Sequence, residues 1–158
     1  MERILMTAVA IWAATAVVAA ADCAMPRGGS AARAALAEAV NGFRDGRGLP
    51  RLTVSRALEN AATGHACGMV ARDRFSHEGG GGLRARVRRA GCRANLVGET
   101  IAMGNTDAGA TLQQWINSPP HRRILLSKGM RVMGIGLAAP RRGQGGGPRW
   151  VLDVADGC

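Results

Sequence analysis

Lysine occurs once in this sequence, at Lys128, tyrosine does not occur at all, and aromatic residues make up only 3% of the chain. The net charge of +10 is therefore an arginine charge. Such a surface could attract nucleic acid, anionic lipid or acidic polymers. The arginines are spread along the chain rather than gathered in one tract, so a solvated basic surface is the simpler reading and no nucleic-acid partner is expected. No CxxC pair is present, which removes support for zinc-finger and thioredoxin chemistry. No HExxH stretch and no GxSxG elbow occur, so the local signatures of zinc peptidases and α/β-hydrolases are missing. Internal repeats are also missing. After the first apolar run no second one follows, and the processed chain is expected to be soluble.

That first run dictates the compartment. Arg3 supplies positive charge, Ile4 to Ala20 are apolar, and Ala19, Ala20 and Ala21 offer small residues for cleavage. The pattern is that of a secretory signal peptide over residues 1–21. Asp22 before Cys23 argues against a lipidated cysteine. Residues 22–158 remain as one domain with room for a core. Four cysteines survive cleavage, Cys23, Cys67, Cys92 and Cys158. An even number in an exported chain predicts two disulfides, with three connectivities open. The favoured pairing is Cys67–Cys92, closing a loop of about 25 residues worth roughly 3.5 kcal/mol, and Cys23–Cys158, tying the termini.

Along the chain, Ser30 could cap a helix with Leu36, Val40 and Phe43 on one face. Gly46, Gly48 and Pro50 end it. Ser55 starts a second helix whose stripe is Leu58, Ala62, His65 and Met69. Four glycines follow Glu78 as a turn. Leu83, Val87 and Ala90 suggest a short third helix, with Arg84, Arg86, Arg88 and Arg89 mostly on its wet side. Leu96 to Met103 reads as a strand, and Thr106 caps a helix carrying Ala108, Leu112 and Trp115, stopped by Pro119. Val132 to Ala138 and Arg149 to Ala155 read as a hairpin around PRRGQGGGP. The mixture lacks a βαβ rhythm, which favours an antiparallel or mixed sheet between helices.

Three histidines exist: His65, His77 and His121. His77 precedes the glycines, and His121 follows Ser118-Pro119-Pro120. Glu99 interrupts an otherwise apolar strand, and a buried carboxylate needs a partner. Two imidazoles could be that partner. A divalent ion such as zinc, held by His77 and His121 with Glu99, is a second arrangement of the same residues. A structural hydrogen-bonded cluster is the third.

The order of motifs LAEAVNGFRDGRGLPRL, ALENAATGHACGMVARDRFSHEG, RVRRAG, GETIAMG, WINSPPHRRILL, VMGIGLA and RWVLDVA resembles the CAP superfamily of cysteine-rich secretory, antigen 5 and pathogenesis-related domains, in its bacterial SCP-like form. The resemblance runs from about Ala34 to Val154. It implies an α+β fold, a three-layer α-β-α sandwich around a central antiparallel sheet, with a cleft lined by histidines and acidic residues. His77 of FSH, His121 of SPPHRRIL and Glu99 of GET match the cleft positions, and Ser118 stands at the second acidic position. His65 matches a helix-packing position and is left out of the site. Thr100 and Ile124 replace asparagines usual in the family, and the terminal aromatic pair is reduced to Trp150.

The function implied is that of a secreted, monomeric, non-enzymatic module binding a lipid, a small apolar ligand or a cell-envelope partner. A hydrolase is the alternative, with His121 or His77 as base, Glu99 orienting it and Ser118 or Ser76 as nucleophile. A metal on His77 and His121 is compatible with the first reading.

Overall fold

A computed structural model describes residues 23–158. The expected signal peptide lies outside the described residues. In chain order the elements are α1 (Gly29–Asp45), β1 (Thr53–Val54), α2 (Arg56–Ala71), α3 (Leu83–Arg89), β2 (Val97–Met103), α4 (Ala108–Asn117), α5 (Pro119–Leu125), β3 (Val132–Ala138) and β4 (Arg149–Ala155).

The strands form one sheet in the order β1-β3-β4-β2. β3 and β4 pair antiparallel, as do β4 and β2. The two-residue β1, which has no periodic signal in the sequence, adds parallel to β3, so the sheet is mixed rather than wholly antiparallel. Alternation along β3 and β4 sorts the core onto two faces. Met133, Ile135, Leu137, Trp150, Leu152 and Val154 pack with Leu36 and Val40 of α1, Leu112 and Trp115 of α4 and Leu125 of α5. Val151 and Ile101 turn the other way, onto Ala62, Ala66, Met69 and Val70 of α2. Helices cover both faces, as the three-layer expectation requires.

Two glycines set how closely α2 lies on the sheet. A Cβ at Gly136 would come within 2.2 Å of the Ala62 carbonyl carbon, and one at Gly134 within 2.1 Å of backbone atoms of Leu58 and Glu59. Only a bare backbone lets the helix settle at that depth.

Several local expectations are corrected. Helix α1 starts ahead of Ser30: Gly28, at φ +72°, occupies the cap position without a side-chain bond. The cap of α4 is Asp107 rather than Thr106, its Oδ1 accepting from the Ala110 amide at 2.6 Å. Pro119 does not merely stop α4. It occupies the first turn of α5, where a proline's missing N–H costs nothing.

The disulfides differ from the expected pairing. Cys23 joins Cys67, fastening the start of the described chain to α2, and Cys92 joins Cys158, fastening the loop that follows α3 to the C-terminus. The pairs Cys67–Cys92 and Cys23–Cys158 are not formed. The reason lies in placement: Cys67 and Cys23 pack beside the Ile101–Val151 cluster, whereas Cys92 sits in a separate cluster with Leu58 and Val87.

Candidate functional site

Strand β2 is an edge of the sheet, and its middle is where the site is built. Glu99 faces α2 and α3 from that strand and is 5% exposed. A carboxylate at that depth requires donors, and three elements supply them. Arg86 of α3 donates through Nη2 to Oε2 of Glu99. His77, on the loop after α2, has its Nδ1 2.8 Å from Oε1. Since a carboxylate only accepts, the proton of that bond sits on Nδ1, and Nε2 is turned away from Glu99. His65 of α2 lies 3.7 Å from Oε2 through Nε2, which also reaches the Ser76 carbonyl at 3.0 Å.

Arg86 does more than neutralise Glu99. Its Nη1 donates to the carbonyls of Gly79 at 2.8 Å and His77 at 3.3 Å. One guanidinium thus holds both the carboxylate and the backbone that carries His77. The geometry of the fork suits this double duty better than an ammonium would.

His121 arrives from the opposite helical layer. Pro119 and Pro120 start α5 and place His121 in its first turn, and the rings of His77 and His121 stand 5.7 Å apart at 52°. The two imidazoles meet around the exposed edge of β2, where the Trp115 indole N–H donates to the Ile101 carbonyl at 3.0 Å. Burial, and then the neighbouring His77, lower the His121 pKa below the usual 6.5. Burial also lowers that of His65, with Arg86 adding to the effect and Glu99 opposing it.

Beside His121 lies a hollow of about 290 Å³ lined by Phe75, Ile101, Ala102, Met103, Gln114, Trp115 and Ser118. Ser118 shares the hollow with His121, but among the described residues its hydroxyl makes no hydrogen bond with either imidazole. Ser76 is occupied otherwise: its hydroxyl accepts from the Glu78 amide at 3.0 Å.

His77, Glu99 and His121 are therefore brought together, and Ser118 lies next to them. Three contributors were missed. His65, set aside as a packing residue, faces Glu99. Arg86, expected on the wet side of α3, is 7% exposed. Asp153 is fully buried on β4, directly across from Glu99. Asp153 carried the same signal as Glu99, a carboxylate within an apolar strand. Arg86 had no comparable local signal.

Two imidazole nitrogens could reach a metal ion, but Glu99 already gives its oxygens to His77 and Arg86. Among the described residues no three His, Cys, Asp or Glu side chains are grouped to hold one. A closed four-ligand zinc site does not fit. An open site with two protein ligands does, with Glu99 behind His77.

A three-layer sandwich with two neighbouring histidines at one sheet edge, one of them anchored by a buried carboxylate, defines a class, and similarity to known proteins places the chain within it. The chain belongs to the CAP, or cysteine-rich secretory protein, family, whose model matches residues 37–153. Its fold resembles an extracellular SCP-domain protein of Bacillus anthracis str. Ames, with a TM-score of 0.70 and 26% identity over 80% of this chain and 40% of that one. An outer surface protein of Borrelia burgdorferi shares the fold at a TM-score of 0.73 and 19% identity, over 81% and 94% of the two chains. In sequence, the uncharacterized membrane protein YlbC of Bacillus subtilis (strain 168) is 30% identical over 99 residues. The chain spans 29% of the length of YlbC, and the match covers 61% of this chain.

Proposed function

We propose that this CAP protein is an exported, non-enzymatic binding module, and that the hollow beside His121 receives a small apolar or lipid-derived ligand. The hollow carries the reading. Most of its wall is apolar, from Phe75, Ile101, Ala102, Met103 and Trp115, and Gln114, Ser118 and His121 are its polar groups. That distribution suits a ligand with an apolar body and a polar head.

Export is supported by the leader-like pattern of residues 1–21, by two disulfides, and by relatives described as extracellular or outer-surface proteins. No described helix is long and apolar enough to cross a membrane.

A hydrolase using the same cleft has less support. Serine attack needs an imidazole bonded to the hydroxyl, and neither Ser118 nor Ser76 has one among the described residues. Glu99 is held by Arg86 as well as His77, which suits a fixed support rather than a mobile proton carrier.

Native mass spectrometry of the chain purified from its own host tests the binding reading. A mass above that of the disulfide-bonded polypeptide is expected, and Phe75→Ala, at an exposed wall position, should weaken its retention. A wild-type chain that carries nothing and fails to take up fluorescent fatty acids would sink the proposal. A peptide and ester panel covers the alternative: turnover abolished by both His121→Ala and Glu99→Gln would restore the hydrolase.

The bond from His77 Nδ1 to Glu99 favours a second reading, compatible with the first. A carboxylate behind one imidazole fixes its tautomer and directs Nε2 outward, as carboxylates do behind many metal-bound histidines. His77 and His121 would then hold a divalent ion, with water at its remaining positions.

A further inference from the structure

Beside His65 and Arg86, α2, α3 and the glycine loop line a second cavity, of about 520 Å³. It is larger than the hollow beside His121, and its chemistry is different. Arg72, Arg86 and Arg89 line it, and no aspartate or glutamate does.

The three guanidiniums are not equally neutralised. Arg86 has Glu99 as its partner. Among the described residues Arg89 donates only to the Gly80 carbonyl, a neutral group. Among the described residues the Arg72 side chain has neither a hydrogen bond nor an ion pair. Two cationic groups therefore face one cavity without a counter-charge.

Both guanidiniums lie close to glycine backbone. A Cβ on Gly68 would come within 2.9 Å of Nη2 of Arg72, and one on Gly79 within 2.7 Å of the same atom. A Cβ on Gly80 would come within 2.9 Å of Nη2 of Arg89. Arg72 thus lies against bare backbone of α2 and of the loop, and Arg89 lies against the next loop residue. The two guanidiniums thus lie beside consecutive glycines of the loop and line the same cavity.

We propose that this cavity binds a phosphoryl group, gripped by Arg72 and Arg89, with the remainder of the ligand lying along Ala61 and Gly64 of α2. The phosphoryl class follows from the donor set. A planar carboxylate is satisfied by one guanidinium fork, whereas a tetrahedral anion with two charges presents enough oxygens for two forks. The cavity has room for more than the anion itself, so a phosphate ester or a diphosphate fits better than the free ion. Free phosphoesters and the headgroups of anionic phospholipids share this chemistry.

Calorimetric titration with pyrophosphate tests the site, using the full disulfide-bonded chain in low-salt buffer. Wild type is expected to bind at one site. Arg72→Gln/Arg89→Gln should weaken binding about a hundredfold, near tenfold for each charge-assisted hydrogen bond removed. Both arginines are exposed, so the double variant should fold. Arg141→Gln/Arg142→Gln removes the same two charges from the exposed β3–β4 loop and should leave the affinity unchanged. Equal loss in the two double variants would reduce the effect to net charge and overturn the site, as would a wild-type chain that ignores pyrophosphate. Glycerol phosphate, and vesicles of phosphatidylcholine with and without phosphatidate, then separate the sources. Binding to either phosphoryl source that requires Arg72 and Arg89 upholds the proposal, and the preferred one names the source.

Discussion

Glu99 and Asp153 stand directly opposite one another on β2 and β4, their side chains on the same face of the sheet. Asp153 is fully buried, and neither of its carboxyl oxygens has a hydrogen-bond donor among the described residues. A deprotonated carboxylate in that position would be uncompensated. Burial first, and the charge of Glu99 second, raise the Asp153 pKa well above the ordinary 3.8, although Arg86 opposes the shift. A shift in that direction favours the neutral carboxyl, the form that a buried position without donors accommodates at least cost.

The sign of the pH dependence follows. A carboxyl whose pKa is raised by folding stabilises the native state below the unfolded value near 3.8, and that contribution is lost as pH rises toward the folded value. Asp153→Asn keeps the shape and supplies a permanent donor. Urea titrations across pH 4 to 8 are expected to show the variant overtaking wild type in stability as pH rises. A constant difference at every pH would mean that Asp153 does not carry the proton.

His121 responds in the opposite direction. Its pKa is lowered by folding, so the unfolded chain takes up the proton first on acidification, and stability falls as pH drops through 6.5. Imidazole proton shifts followed by NMR should place the His121 midpoint below 6.5. His77→Gln should move it upward without restoring it fully, because burial remains the larger cause. No movement in that variant would separate the two rings electrostatically.

Zinc titrations examine the same pair. Uptake is expected in wild type and not in His77→Ala or His121→Ala, since neither ring alone matches a two-nitrogen site. Zinc bound equally by all three proteins would locate the metal elsewhere. Flat traces for all three would leave Glu99, His77 and His121 as a hydrogen-bonded cluster.

Gly136→Ala should destabilise the fold by about 3 kcal/mol or more, because the new methyl meets the α2 backbone rather than a side chain that can rotate away. Gly143→Ala is a poor control, since φ there is +87°. Gly145→Ala, which meets nothing within 4 Å, should cost little. Urea midpoints of the two variants decide the matter.

Non-reducing peptide mapping should recover Cys23 with Cys67 and Cys92 with Cys158. The bridges span 44 and 66 residues, and removing either should cost about 4 kcal/mol by loop-closure entropy. Recovery of Cys67 joined to Cys92 would contradict the packing of both clusters.

Much of the fold was legible because it rests on short-range periodicity. The stripe Leu58, Ala62, Met69 and the alternation in VMGIGLA and RWVLDVA identify α2, β3 and β4 within a residue or two. β1 was not legible: two residues carry no period, and only the neighbouring β3 makes Thr53–Val54 a strand. At the site, His77, Glu99 and His121 could be picked out because polar groups in turns or apolar strands are conspicuous. Arg86 could not, since on a helix with arginines at 84, 86, 88 and 89 nothing local distinguishes the one that turns inward.

From the amino acids alone came the apolar run of residues 4–20, the even cysteine count, the amphipathic stripes and the isolated carboxylate of Glu99, each a property of composition or of spacing along a few turns. Packing alone decided which cysteines pair, that His65, Arg86 and Asp153 surround Glu99, and that Arg72 and Arg89 share a cavity. Those outcomes depend on which helix covers which face of the sheet and at what depth, and that is set by contacts between residues far apart in the chain.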